Sequence, residues 1–104
     1  MTVTAFLSVS PATDESMAPE VAKAVDALEA FDVAYETTPM GTTIEAANVG
    51  ELFAAAQAAH EAVDADRVGT LLKIDDKRTS DDPAAEKVRA VEKELGRPAA
   101  SRET

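Results

Sequence analysis

The sequence contains no cysteine, no tryptophan and a single tyrosine among its 104 residues. The missing cysteine excludes a disulfide framework, a thiol nucleophile and a thiolate metal site. No stretch approaches the roughly 20 apolar residues that a membrane-spanning helix requires. The opening MTVTAFLSVS also lacks the basic region and the long apolar run of a secretory signal. These absences predict a cytoplasmic protein that does not contact a membrane.

Basic residues are scarce as well, with ten Lys and Arg against twenty Asp and Glu and a formal charge of -10. This charge disfavours nucleic acid and anionic lipid as partners, and it favours cationic ligands. An acidic, alanine-rich composition is also typical of halophilic proteins, because concentrated salt screens the repulsion between like charges. We therefore prefer a halophilic interpretation to that of an ordinary acidic protein.

Large apolar side chains are few, since Ala accounts for 22 residues while Leu, Ile, Val and Phe together number 21. A chain of this length forms one domain, which we predict over residues 1–98, followed by a disordered tail at 99–104. Its core is expected to be thin. Self-association would add the apolar burial that a single chain lacks.

Four strands and three helices are predicted from hydrophobic periodicity and capping residues. Pro39 and Gly41 have the chemistry of a tight hairpin turn between the second and third strands. The order β-α-β-β-α-β predicts an α+β ferredoxin-like fold, an antiparallel sheet with two helices on one face, and an additional C-terminal helix. The predicted strands are 2–10, 33–38, 42–46 and 67–78; the helices begin after Ser16, after Asn48 and at Pro83, with Asp82 as N-cap of the last.

The second face of this sheet is predicted to be left open by the helices. Because side chains alternate along a strand, the partners of Leu7, Ile44, Leu72 and Ile74 point away from the core. The polar residues of this face are Ser8, Thr43, Glu45, Lys73 and Asp75, with Phe6 and Leu71 as an apolar floor. A plain solvated sheet face is one alternative. A subunit interface in which Lys73 pairs with Glu45 or Asp75 is another.

Three segments, SVSP, TPMGTTIE and RVGTLLKIDDKR, resemble the small thiamine-binding protein family with a ferredoxin-like fold. The resemblance runs from about Thr2 to Leu95. It implies a non-catalytic protein that binds thiamine or its hydroxymethylpyrimidine moiety. It also implies a homo-oligomer, typically a tetramer.

Thiamine combines a thiazolium cation with an aminopyrimidine, so its site needs negative charge, a polar acceptor and an apolar plane. Glu45 and Asp75 are expected to supply the charge, serine and threonine hydroxyls the orienting contacts, and Met40 or Phe6 the plane. In so acidic a protein the unphosphorylated ligand is favoured over a phosphate ester. The predicted ligand-binding residues are Ser8, Ser10, Met40, Gly41, Thr43, Glu45, Lys73 and Asp75.

No pattern in the sequence indicates catalysis, a metal or a cofactor. His60 has no second histidine, and the acidic cluster at Asp75, Asp76, Asp81 and Asp82 lacks the spacing of a calcium loop. A nucleophile and a set of oxyanion donors are also missing. A structural or regulatory homo-oligomer without a small-molecule ligand therefore stands as the alternative function.

Overall fold

The computed structural model describes residues 2–79 and 81–99 of the chain. Within these residues the strands are β1 (Val3–Pro11), β2 (Val33–Thr38), β3 (Gly41–Ala46) and β4 (Val68–Asp76). The helices are α1 (Ala18–Ala27), which continues as a 3₁₀ turn (Leu28–Ala30), α2 (Val49–Ala62) and α3 (Ala84–Leu95). The predicted order of strands and helices is confirmed.

The strands form one antiparallel sheet in the order β2-β3-β1-β4. β1 lies inside the sheet between β3 and β4, and β2 and β3 are joined by the predicted turn at Pro39 and Met40. With two helices packed against the sheet and a further helix at the C-terminal end, this is the predicted ferredoxin-like α+β fold.

The core lies between the sheet and the helices α1 and α2. Every second side chain of β1 is buried, as the alternation in the sequence predicts. Ile44 of β3 and Leu52 of α2 are both 0% exposed. Ala55 and Ala59 of α2 are equally buried, and such small side chains allow a helix to lie close to a sheet. The sole tyrosine, Tyr35, packs against the edge of this core.

A side-chain cap explains where α2 begins, whereas α1 and α3 lack one and each begin one residue later than predicted. Helix α1 begins at Ala18 with Met17, and not Ser16, as its N-cap. Asn48 Oδ1 accepts the Glu51 amide at 2.8 Å, as expected of an N-cap. The Glu51 carboxylate, however, accepts the amide of Asp32 at 3.0 Å instead of returning to Asn48. Helix α3 begins at Ala84 with Pro83 as its N-cap, one residue later than predicted, and it ends at Gly96 with a φ of 71°.

Gly41 is required by close packing at the start of β3. A Cβ on this residue would lie 2.4 Å from Cζ of Phe6 and 2.8 Å from the backbone oxygen of Leu7. Both distances are too short for a carbon atom, so no larger residue fits without moving β1 or the Phe6 ring. The glycine of the predicted turn therefore fixes how closely the hairpin approaches β1.

Glu20 ties the start of α1 to the segment that follows α2. Its carboxylate lies 2.9 Å from Lys23 Nζ and accepts the amide of Asp64 at 2.7 Å. The hydrogen bond from Lys23, followed by that from Asp64, lowers the pKa of Glu20 below its ordinary value of 4.5. Its stabilising contribution is therefore present above that value and is lost as the pH falls through the lowered pKa.

Two further predictions concern the C-terminal tail and the absence of a membrane-spanning helix. Of the tail predicted at 99–104, only Ala99 is described, and its amide donates to the Glu92 carboxylate at 2.8 Å; the rest of that tail lies outside the described residues. Among residues 2–79 and 81–99, every helix is too short or too polar to cross a bilayer.

Candidate functional site

The sheet face opposite α1 and α2, here called the open face, carries the side chains that strand alternation predicts. Its members are half-buried or exposed, whereas their neighbours along each strand face the core. Phe6 lies between Thr43 and Lys73 in the strand register, and Thr4 lies between Glu45 and Asp75. On β1, β3 and β4 the open face consists of Thr4, Phe6, Ser8, Ser10, Thr43, Glu45, Leu71, Lys73 and Asp75.

Helix α3 lies at the Thr4 end of the open face and contacts both predicted ligand carboxylates. Glu45 Oε2 accepts a hydrogen bond from the Ala84 amide at 2.6 Å. Asp75 Oδ2 forms an ion pair with Lys87 Nζ. Lys87, and not Lys73, is thus the cation that Asp75 contacts. Both carboxylates predicted to hold a cationic ligand are therefore engaged by the chain itself.

The contact with Glu45 supplies the hydrogen-bond acceptor and the negative charge that the start of α3 lacks. The N-cap residue, Pro83, makes no side-chain capping hydrogen bond. The first amides of a helix have no acceptor within the helix, and the helix dipole favours a negative charge there. The carboxylate of Glu45, which comes from a strand 39 residues earlier in the sequence, meets both needs.

Charge is distributed unevenly along the chain in a way that permits this attachment. Residues 84–104 contain five of the ten basic residues and only four of the twenty acidic ones. The segment before Ala84 therefore carries all of the excess negative charge. Helix α3 itself is neutral, with three basic and three acidic residues, so the acidic sheet does not repel it.

A cavity of about 150 Å³ opens at the other end of β1, between the hairpin turn and α1. Its walls come from the last residues of β1, from the turn that joins β2 and β3, and from one side of α1. The lining contains no ionisable side chain. It consists of Leu7, Ser8, Val9, Ser10, Met17, Val21, Ala24, Val25, Leu28, Thr38, Pro39, Met40, Gly41 and Thr42.

The predicted ligand-binding residues divide between this cavity and the open face. Met40 and Gly41 line the cavity, and so do Ser8 and Ser10, which are the open-face residues nearest the end of β1. Thr43, Glu45, Lys73 and Asp75 belong to the open face and are not part of the lining. Asp75 instead lines a second cavity of about 200 Å³ beside α3, together with Thr2, Thr4, Lys77, Asp82, Glu86, Lys87 and Ala90.

The hydroxyl groups around the first cavity differ in what they can offer a ligand. Thr38 Oγ1 donates to the backbone oxygen of Gly41 at 2.9 Å, and Thr42 Oγ1 lies 3.3 Å from that of Thr37. Ser8 and Ser10 make no side-chain hydrogen bond within the part of the chain that the structure describes. Their hydroxyls are therefore the ones that remain able to orient a polar ligand.

Sequence reasoning missed the contributions of Val9, Met17 and Val21 to the cavity. Hydrophobic spacing places all three on the core side of their elements, and of these Val9 is 7% exposed whereas Met17 is 47% exposed. One available signal was length, because β1 was predicted to be nine residues long and β3 only five. A long strand beside a short one must continue past its end, and that is where the cavity lies.

The weaker sequence candidates have structural partners. His60 Nδ1 lies 2.5 Å from Thr70 Oγ1, which joins α2 to β4 on an exposed surface. Asp76 pairs with Arg78 through Oδ2 at 3.3 Å. Within residues 2–79 and 81–99, no group of three or more His, Asp or Glu side chains is arranged to hold a metal ion.

Comparison with known proteins gives this fold and cavity a context. Residues 5–92 match the model of the family described as thiamine-binding protein, so the chain belongs to that family. A "UPF0045 protein" of Methanothermobacter thermautotrophicus is 44% identical over 98 residues, which cover 89% of this chain and 99% of the relative.

Two solved structures share the fold along most of the chain. One is the hypothetical protein MJ1052 of Methanocaldococcus jannaschii, with a TM-score of 0.80, 32% identity, and coverage of 86% of this chain and 95% of that one. Another, from Thermotoga maritima, has been assigned provisionally to thiamine biosynthesis or salvage. It has a TM-score of 0.76 and 23% identity over 88% of this chain and 99% of that one, which shows likeness of fold alone.

Replacing Glu45 by Ala tests its attachment to α3. Because the Ala84 amide would lose its acceptor, the amides of the first turn of α3 should exchange faster with solvent, by roughly five- to thirtyfold for a loss of about 1–2 kcal/mol. Hydrogen exchange followed by mass spectrometry measures this directly.

The matched control for this variant is Glu36→Ala, which removes an exposed carboxylate from β2 beside Thr43 of β3. This control should leave exchange in α3 unchanged. Equal exchange in wild type and Glu45→Ala would contradict the capping role.

Proposed function

We propose that this protein binds thiamine, or the hydroxymethylpyrimidine moiety of thiamine, without catalysing a reaction on it. The observation that carries the proposal is the cavity at the end of β1, which unites four predicted ligand-binding residues in a chain that belongs to the thiamine-binding family. Sequestration, delivery or sensing of the ligand would all use such a site.

The cavity suits the pyrimidine ring better than the open face does. Its lining is apolar and hydroxylated, and the sulfur-containing side chains of Met17 and Met40 are adaptable contacts for a flat ring. On the open face, by contrast, a ligand would have to displace Ala84 and Lys87 from Glu45 and Asp75. We therefore favour a pyrimidine ring in the cavity, with the thiazolium directed towards solvent and the acidic surface.

Calorimetric titration with thiamine in molar salt tests this function. Met40→Ala should weaken binding about fivefold or more, because Met40 is 79% exposed at the rim and would be covered by the ligand. Asp75→Asn, a nearly isosteric change on the open face, should leave the affinity within about twofold.

Three outcomes would count against this proposal. The absence of heat at millimolar thiamine would exclude thiamine binding. If Asp75→Asn weakened binding and Met40→Ala did not, the ligand would have to bind on the open face and not in the cavity. Turnover of thiamine would contradict the non-catalytic role.

We further propose that the protein assembles as a homo-oligomer, as a tetramer built from dimers. The supporting observation is an apolar stripe on α3, where Val88, Val91 and Leu95 are 54%, 56% and 46% exposed, together with Leu71, which is 57% exposed on the open face. A single chain leaves these side chains in water, whereas a second copy would bury them. This assembly is also the form that a structural or regulatory role without a ligand would take.

Light scattering in molar salt distinguishes an assembly from a monomer of 10.9 kDa. Wild-type protein should have about four times that mass, and Val91→Asp on the α3 stripe should lower it. Phe53→Asp is the matched control, because Phe53 is 52% exposed on α2, away from that stripe. A monomeric wild-type mass at micromolar concentration would contradict the proposal.

A further inference from the structure

β1 extends beyond its partner on one side of the sheet. Strand β4 pairs with β1 along the whole length of β1, as far as the pair Pro11↔Val68. On the other side the pairing with β3 ends at Leu7↔Thr42. From Ser8 onwards, β1 therefore has a neighbouring strand on one side only.

The direction of the backbone groups on this free edge follows from two contacts. The backbone oxygen of Leu7 points towards β3, because it would lie 2.8 Å from a Cβ on Gly41. The amide of Ala12 points the opposite way and donates to the Arg67 oxygen at 2.8 Å. Backbone groups of alternate residues in a strand face the same side, so the N–H and C=O of Val9 follow those of Leu7. They point past Gly41, the first residue of β3.

Two further features agree with an edge that has no strand beside it. Pro11, the next residue with this orientation, has no N–H group to leave without an acceptor. None of the backbone hydrogen bonds outside the sheet ladders involves Val9, in the part of the chain that the structure describes. Since the ladder with β3 also ends before Val9, its amide and carbonyl form a donor and an acceptor side by side without a partner among residues 2–79 and 81–99.

Val9 lines the cavity at the end of β1 together with Met17, Met40 and Gly41. Backbone polar groups in an apolar site are stabilised when a hydrogen-bonding partner occupies that site. The partner must be thin enough for a cavity of about 150 Å³, and it need not be charged because the lining has no ionisable side chain.

We propose that the N–H and C=O of Val9 recognise one edge of a planar heterocycle that carries an adjacent donor and acceptor, such as a 4-aminopyrimidine. The exocyclic amine donates to the Val9 oxygen, and the neighbouring ring nitrogen accepts from the Val9 amide. The ring thereby takes the place that an additional residue at the start of β3, before Gly41, would occupy. Its identity as a pyrimidine rests on the proposed function, whereas the orientation of Val9 does not.

Amide hydrogen exchange measured by NMR on the ¹⁵N-labelled full chain in molar salt tests this recognition. The probes are thiamine, 4-amino-2-methylpyrimidine, which lacks the thiazolium, and oxythiamine, in which a carbonyl replaces the exocyclic amine. Saturating thiamine or aminopyrimidine should slow exchange of the Val9 amide at least tenfold. The Leu7 amide, which faces β3, is the internal control and should exchange slowly throughout. Oxythiamine should bind at least tenfold more weakly than thiamine.

The outcomes separate this inference from the proposed function. Protection of Val9 by the aminopyrimidine without heat from thiamine would support the inference and overturn thiamine binding. Heat from thiamine without protection of Val9 would overturn the inference alone, and no response to either compound would overturn both. The Val9 amide could also be protected in the free protein, more strongly at higher protein concentration. This result would show that the edge pairs with a second copy of the chain, and it would overturn the inference.

Discussion

The unequal pairing of β1 with its two neighbours is the constraint on which the rest of the structure depends. The strand is long enough to pair with β4 over nine residues, but β3 begins only at Gly41, opposite the middle of β1. Phe6 and Leu7 pack so closely against Gly41 that a Cβ at this position would clash with both. The space beyond this contact is the cavity, and α1 closes its remaining side.

The two ends of the sheet therefore have different chemistry. At the end near the start of β1, acidic side chains of the open face hold helix α3 through Ala84 and Lys87. At the opposite end, apolar side chains and free hydroxyls surround an unpaired stretch of backbone. A strongly acidic chain thus contains a cavity free of ionisable groups, because its carboxylates are concentrated elsewhere. The two ends are thus separate, with α3 attached at one and the proposed binding of a neutral ring at the other.

Much of the fold could be predicted because the relevant interactions are local. A few neighbouring residues are enough to predict the alternation along β1, the turn that contains Pro39 and Gly41, and the N-cap at Asn48. The side of the sheet to which Glu45 points was predictable for the same reason. Its hydrogen bond to Ala84 was not, because that contact depends on the path of the chain between β4 and α3.

The candidate site could be predicted only in part. Ser8 and Ser10 follow from alternation along β1, and Met40 and Gly41 belong to the family-like segment TPMGTTIE. The cavity brings the four together. Val9 escaped notice because its contribution comes from backbone atoms, which are the same for almost every residue type. Only the relative lengths of β1 and β3, and hence the structure of the sheet, determine that these atoms lack a partner.

The central claim of this account is that the ligand occupies the end of the sheet and not its open face. A crystal structure of the protein grown in molar salt with saturating thiamine tests it most directly. The account predicts electron density for the pyrimidine ring between Met17 and Met40, with α3 still attached to Glu45. Density for thiamine against Glu45 and Asp75, with α3 displaced from the sheet, would contradict it.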